Sequence, residues 1–187
     1  MDRRTQYTKK IIKETCLELL EEKDITKVSV SELCKKADIN RATFYRYYLD
    51  IFDLLKKIED DFVEELKGSY KNFNLKDNAF YDYVFALLKT CLNNKKLVKV
   101  LFYSNNNISF LNAILEDAYL RFKDKWRNDV PNINEKEIEY ASIYIFNGTL
   151  GLVNYWIQND FTEEIQDITK SIVELSYYGS NKFIYKK

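Results

Sequence analysis

The sequence predicts an all-α protein. Only 4 Gly and 1 Pro occur in 187 residues, which is too few for the many turns of a β fold. Apolar residues recur at i, i+3 and i+4 over most of the chain, which is the spacing of amphipathic helices. A hydrophobic content of 46% is sufficient for a buried core. We therefore expect about nine helices, with a three-helix head at the N-terminus and a larger helical body after it.

A segment near the N-terminus predicts two short helices joined by a tight turn. Ser29 and Glu32 have the spacing of a capping box, which places a helix start directly after Ser29. Asp38 follows at the turn, where Asp tolerates a left-handed backbone. Asn40 is a suitable N-cap for a second helix that runs to about Tyr48. This arrangement predicts a helix-turn-helix.

The second of these helices combines an inward apolar stripe with outward polar side chains. Phe44 and Tyr48 are spaced i, i+4 and predict the inward stripe. Arginines for phosphates or guanine edges, hydroxyls and phenols make up the outward set, which suits a recognition helix in a major groove. With polar residues from the preceding helix start, the predicted DNA-contacting residues are Ser29, Ser31, Asn40, Arg41, Thr43, Tyr45, Arg46 and Tyr47. The alternative is that a capped helix and an aromatic helix belong to an ordinary helical bundle.

Residues 43–48, Thr-Phe-Tyr-Arg-Tyr-Tyr, resemble the Thr-Leu-Tyr-x-(Tyr/His)-Phe pattern of the TetR/AcrR family of bacterial transcription regulators. The resemblance extends over about residues 5–66. It implies a homodimer, most often a repressor, in which a fourth helix links the DNA-binding head to a ligand-binding body. Three positions depart from the family pattern: Asp38 replaces Gly, Leu49 replaces Pro, and Ile51 replaces a Lys that often reaches a phosphate.

A lapse in the helical periodicity separates the head from the body. Short polar residues accumulate from Gly68 to Asn78, before a new apolar stripe begins. We therefore expect a helix-turn-helix domain at 1–50, a linker helix at 50–67, and a regulatory and dimerisation domain at 68–187.

Aromatic residues of the body are candidates for an effector pocket. An apolar cavity with a few hydroxyl groups would bind a small apolar or aromatic molecule. Aromatic residues at helical spacing are also common in plain cores, and this alternative stays open for each of them. The candidate lining residues are Phe85, Phe102, Tyr103, Phe110, Tyr119, Tyr144 and Trp156.

The last two helices, at about 134–158 and 162–178, predict a dimer interface. The first of them has two apolar stripes and must be covered on more than one side. A two-fold four-helix bundle would bury the second stripe, although both stripes could instead belong to the core of one protomer. Gly148 and Gly151 are expected to let a neighbouring backbone approach closely. The candidate interface residues are Ile145, Gly148, Leu152, Tyr155, Ile168, Ile172 and Leu175.

Composition argues against an enzyme. The chain has no His, which excludes Ser-His and Cys-His nucleophile pairs, and it has no glycine-rich phosphate loop. Its formal charge is zero, with a small excess of three positive charges over residues 1–57 (13 Lys/Arg against 10 Asp/Glu). We expect no catalytic residues, no metal and no cofactor. The predicted partners are double-stranded DNA, a second copy of the chain and a small effector.

The cysteines and the hydropathy of the chain are used to predict its cellular compartment. Cys16, Cys34 and Cys91 lie on apolar stripes without metal-ligand spacing, so we interpret them as core residues rather than redox groups. No apolar run approaches about 18 residues, and we expect a cytoplasmic protein without a membrane partner.

A second function class also fits the sequence. The chain could be a family-like interaction protein, a coactivator or antagonist that works mainly by docking another protein. Ile51 and the weak positive charge favour this alternative. Truncation of Arg41 and Tyr47 separates the two, because it should abolish operator binding but leave docking to a partner intact.

Overall fold

The computed structural model describes residues 3–70, 79–103, 123–124, 126–130 and 132–184. The predicted all-α fold is confirmed, since every regular element in these ranges is helical. None of the described helices is both long and apolar enough to cross a bilayer. The elements are α1 Arg3–Glu22, a 3₁₀ turn Ile25–Lys27, α2 Val30–Lys36, α3 Arg41–Tyr45, α4 Ile51–Tyr70, α5 Ala79–Asn93, α6 Lys95–Tyr103, α7 Glu135–Gln158 and α8 Ile165–Ile184, with further helical residues at 123–124 and 126–129.

The chain forms two compact units. The head contains α1 to α3, α4 as far as Glu65, and α6, whereas the body contains the end of α4 from Leu66 with α5, α7 and α8. This division differs from the predicted one at α6. The predicted body, residues 68–187, includes this helix, whereas the structure has it in the head. Val98 and Leu101 of α6 are buried, and the helix packs against α1. The lapse in periodicity at 68–78 does not determine with which unit a later helix packs.

The core of the head is formed by the inward stripes of its helices. Ile12 and Cys16 of α1 are fully buried, and Leu54 and Phe62 of α4 are buried with them. Burial raises the pKa of the Cys16 thiol to about 12. All three cysteines are free and buried, so the prediction that they lie in the core is confirmed.

The body is built around α8, which packs against both α5 and α7. Its connection to α7 passes through Asp160 and Phe161, whose φ angles are 57° and 58°. Phe161 is buried with its ring edge-to-face against Trp156, at 4.9 Å between ring centroids. Trp156 Nε1 donates to the backbone oxygen of Glu163 at 2.9 Å. Trp156 therefore fixes the turn between the last two helices.

Candidate nucleic-acid interface

The first helix of the motif begins where the capping box predicts. Ser29 Oγ accepts a hydrogen bond from the Glu32 backbone N–H at 3.2 Å, and α2 starts at the next residue. The Glu32 carboxylate pairs with Lys23. The hydrogen bond from the Lys23 ammonium group is the largest cause that lowers the pKa of Glu32. A hydrogen bond from the Ser29 backbone makes a smaller contribution. The start of α2 is thus tied to the end of α1.

The turn between α2 and α3 is tight and left-handed. Asp38 has a φ of 51°, which confirms the expected conformation of this residue. Beyond the turn, Asn40 Oδ1 accepts from the Ala42 backbone N–H at 2.9 Å, so Asn40 is the N-cap of α3 as predicted. The helix nevertheless ends at Tyr45 rather than Tyr48, and beyond it the Phe44 carbonyl accepts from the Tyr47 N–H at 2.9 Å and from the Tyr48 N–H at 3.0 Å. The last residues of the expected helix form a turn.

Phe44 and Tyr48 anchor this short helix from below. The Phe44 side chain is 0% exposed, and its ring centroid lies 5.6 Å from that of Tyr48. Burial, together with the negative charges of Asp61 and Asp53, raises the pKa of Tyr48 to about 12. Tyr48 therefore remains a neutral phenol inside the head. The inward stripe predicted from the sequence is present, although its second member lies beyond the helix.

The predicted contact residues lie mainly on the surface of the head. Exposed side chains are found at Ser29, Ser31, Asn40, Arg41, Tyr45 and Arg46, and half-buried ones at Thr43 and Tyr47. The two caps already use a side-chain oxygen within the protein. They keep the Ser29 hydroxyl proton and the Asn40 amide protons as donors. Arg41 donates through Nη2 to Ser31 Oγ, which joins the outward faces of α2 and α3.

The arginines of this surface differ from Lys36 of α2 in their partners. Within the described ranges, neither Arg41 nor Arg46 forms an ion pair with a carboxylate. Lys36, on the same pair of helices, lies 3.3 Å from Glu18 and 3.6 Å from Glu22. Both guanidinium groups are therefore available to external anions or base edges, for which their planar donor geometry is suited.

Two lysines near the end of α3 were not predicted. Lys9 Nζ of α1 lies 5.4 Å from the centroid of the Tyr47 ring, and Lys57 Nζ of α4 lies 5.4 Å from that of Tyr48. Lys57 also donates to the Tyr47 backbone oxygen at 3.2 Å. These contacts join residues far apart in the sequence, and no local spacing reveals them.

The beginning of α4 is acidic and apolar. Asp50 Oδ1 accepts from the Asp53 N–H at 2.8 Å, and Asp53 Oδ2 accepts from the Leu49 N–H at 2.9 Å. A hydrogen bond from Lys57 and then the one from Leu49 lower the pKa of Asp53. Ile51 is buried, while Leu49 and Phe52 are exposed. The start of α4 therefore presents two carboxylates, and a buried isoleucine stands at position 51, where the family pattern often has a Lys.

The predicted pocket residues differ in burial among the described residues. Tyr144 is 65% exposed on α7, and its assignment to a pocket stays a prediction. Trp156 is packed against Phe161 and hydrogen-bonded to the backbone, so it belongs to the core. Phe85 and Phe102 are half-buried. Phe110, Tyr119 and the side chain of Tyr103 lie outside the described residues.

The predicted dimer residues divide into two groups. Ile168 and Ile172 are buried within a single protomer, so their assignment to an interface is wrong; one face of α8 packs against α5 and α7 of its own chain. Ile145 and Leu152 are half-buried. Gly148, Tyr155 and Leu175 are exposed. A Cβ atom built at Gly148 or Gly151 meets nothing within 4 Å, so no neighbour approaches either glycine in the described part of the protomer.

Both units of the chain match known families. The family described as "Bacterial regulatory proteins, tetR family" matches residues 12–58, and the family described as "Transcriptional regulator C-terminal region" matches residues 78–178. The second match alone covers more than half of the chain. The chain is also 26% identical over 179 residues to YxbF of Bacillus subtilis (strain 168), described as an uncharacterized HTH-type transcriptional regulator. That alignment covers 88% of this chain but only 43% of YxbF.

Solved structures of regulators have the same fold. NalD, the secondary repressor of the MexAB-OprM multidrug efflux pump in Pseudomonas aeruginosa, matches with a TM-score of 0.71 at 16% identity, over 95% of this chain and 97% of NalD. The SmeT–triclosan complex matches with a TM-score of 0.64 at 13% identity, over 92% of this chain and 91% of SmeT. The helix-turn-helix geometry and the family matches of head and body lead to one assignment: this chain belongs to the TetR family of bacterial regulatory proteins.

Proposed function

We propose that this regulator is a homodimeric repressor that binds a palindromic operator and releases it when a small molecule occupies the body. The observation that carries the proposal is the surface of α3. Arg41 and Arg46 project from a helix anchored by the buried Phe44, and neither has a carboxylate partner among the described residues. A rigid helix with available guanidinium groups is suited to a major groove.

The outward residues of the head divide the work of recognition. Arg41 and Arg46 make charge-assisted contacts to guanine edges or phosphates, and Thr43 contacts a base edge or a phosphate. In this proposal, phosphate oxygens accept hydrogen bonds from the hydroxyl groups of Tyr45, Tyr47, Ser29 and Ser31 and from the amide of Asn40. These contacts to the DNA backbone fix the register of α3 along the duplex.

The direction of regulation and the effector are supported by the structural relatives. NalD is a repressor, and SmeT forms a complex with triclosan, a small aromatic molecule. We propose by analogy a cytoplasmic repressor with a small apolar or aromatic effector and no enzymatic activity. Phe85, which stacks with Tyr81 at 6.1 Å between ring centroids, and Phe102 remain candidate contacts.

The proposed dimer is formed through the exposed sides of α7 and α8. Gly148 and Tyr155 on α7 and Leu175 on α8 are open to solvent in the protomer, and the apolar Ile143 and Tyr178 are exposed on the same two helices. Exposed apolar residues concentrated on two helices are typical of an interface. Two heads per dimer double the base contacts and favour half-sites about 34 to 36 Å apart.

Substitution of Gly148 tests this interface. In the protomer nothing lies within 4 Å of a Cβ at Gly148, and the same holds for Gly68 on α4. We expect Gly148→Leu to weaken the dimer by about 1 to 3 kcal/mol per copy through overpacking, whereas Gly68→Leu leaves it unchanged. Sedimentation of a dilution series gives the association constant, and circular dichroism verifies the helix content. An unchanged dimer in Gly148→Leu would place the interface elsewhere.

Operator binding is tested with the DNA that flanks the gene of the protein itself. We expect tight, sequence-selective binding that weakens steeply with salt, because phosphate contacts release counterions. The Tyr47→Ala variant should lose affinity for this DNA. Wild-type binding no tighter than to random DNA would contradict direct repression. It would instead favour the docking of a protein partner, for which the exposed Leu49 and Phe52 offer an apolar surface beside the motif.

A further inference from the structure

The ammonium group of Lys9 lies beside the DNA-contacting surface, although Lys9 belongs to α1 and not to the helix-turn-helix. Its Nζ is 5.4 Å from the centroid of the Tyr47 ring. Tyr47 follows α3 directly after the C-cap Arg46, and it is one of the proposed phosphate donors. A group that contacts Tyr47 from the α1 side therefore lies at the edge of the surface that would face the duplex.

Lys9 differs from the neighbouring lysines of its own helix. Lys10 lies 3.7 Å from Glu14, and Lys13 pairs with Asp61. Lys9 has no carboxylate partner in the part of the chain that the structure describes. An ammonium group carries three donors, and the face of one phenol ring does not satisfy them. The Lys9 charge is therefore available to an external anion.

Lys57, the other lysine at the end of α3, is already satisfied within the protein. It donates to Asp53 Oδ2 at 2.8 Å and to the Tyr47 backbone oxygen at 3.2 Å. The adjacent start of α4 carries Asp50 and Asp53, which would repel a phosphate. Of the two lysines that contact the Tyr47–Tyr48 pair, only Lys9 lacks a carboxylate partner among the described residues.

We propose that Lys9 extends the DNA interface onto α1 by binding a backbone phosphate together with the Tyr47 hydroxyl. The inference rests on the proposed function, because it requires that α3 faces DNA. A phosphate contact carries no base information, so Lys9 would fix the position of the head and strengthen binding to all sequences.

The test is the salt dependence of binding to two duplexes of about 30 base pairs, long enough for two half-sites one helical turn apart. One has random sequence and the other comes from the DNA that flanks the gene. For Lys9→Gln we expect the slope of log K against log salt to fall in magnitude by about one per bound protomer on both duplexes. Affinity near 0.1 M salt should fall about threefold to tenfold.

Matched variants separate a phosphate contact from a positioning role. Lys10→Gln removes an adjacent, ion-paired lysine and should leave the slope nearly unchanged, while Lys9→Arg should keep the wild-type slope. A lower affinity of Lys9→Gln with an unchanged slope would show that Lys9 only positions Tyr47, and would overturn the proposal. No change in either quantity would also overturn it. The two proposals fail separately: a wild-type protein without preference for the flanking DNA contradicts the repressor, whereas the random duplex still tests Lys9.

Discussion

Replacement of Phe44 by alanine is expected to destabilise the head by about 3 to 5 kcal/mol, the usual cost of removing a large buried aromatic side chain. Phe44 is 0% exposed, and its ring contacts those of Tyr45 and Tyr48 at 5.5 and 5.6 Å between centroids. A helix of five residues has little stability of its own, so α3 depends on this anchor. Loss of Phe44 should therefore also abolish sequence-selective DNA binding.

The distribution of tryptophans allows the two units to be followed separately. The chain has 2 Trp, and both Trp126 and Trp156 lie in the body. In a urea titration, circular dichroism reports on all helices, whereas tryptophan fluorescence reports on the body. We expect Phe44→Ala to introduce an early transition in circular dichroism without an equal shift in fluorescence.

A control for Phe44→Ala is available at the next residue. Tyr45 is 55% exposed, so Tyr45→Ala should change the free energy of unfolding by about 1 kcal/mol or less. If Phe44→Ala destabilised the protein no more than this control, Phe44 would not be the anchor of α3.

The helix-turn-helix could be predicted because its signals are local. The Ser29 cap, the left-handed Asp38 and the Asn40 cap each act within three residues, and each is present in the structure. The early end of α3 could not be predicted, because the inward spacing of Phe44 and Tyr48 is satisfied equally by a helix and by the turn that follows it.

Contacts between distant segments could not be predicted from a single sequence. An apolar stripe shows that a helix face must be covered, but it does not say by which neighbour. For this reason the sequence predicts Ile168 and Ile172 at a dimer interface although they pack within their own protomer, and it predicts α6 in the body although this helix packs on α1. The contact of Lys9 with Tyr47 depends on the same unknown, namely the packing of α1 beside α3.

Arg41→Ala is expected to weaken operator binding by about 1 to 3 kcal/mol, which is roughly fivefold to 150-fold in affinity. Arg41 is the first residue of α3, is exposed, and is oriented by its hydrogen bond to Ser31. A guanidinium held at the start of a recognition helix is suited to a bidentate contact with guanine O6 and N7. We therefore expect the loss to be concentrated at one base pair of each half-site.

The measurement is the affinity of the wild-type protein and of Arg41→Ala for a panel of operators, each with one base pair changed. If Arg41 reads a guanine, replacing that base pair lowers the affinity of the wild-type protein but has little further effect on the affinity of the variant, as expected for two partners of one contact.

Arg41→Lys keeps the charge but loses the planar donor pair, so it should retain the salt slope and lose most of the selectivity. Ser31→Ala should have a smaller effect, because it removes the group that orients Arg41 and one phosphate donor but keeps the guanidinium group. Equal weakening on every operator, with a slope reduced by about one per protomer, would instead identify Arg41 as a phosphate contact and assign base recognition to Arg46 and Thr43.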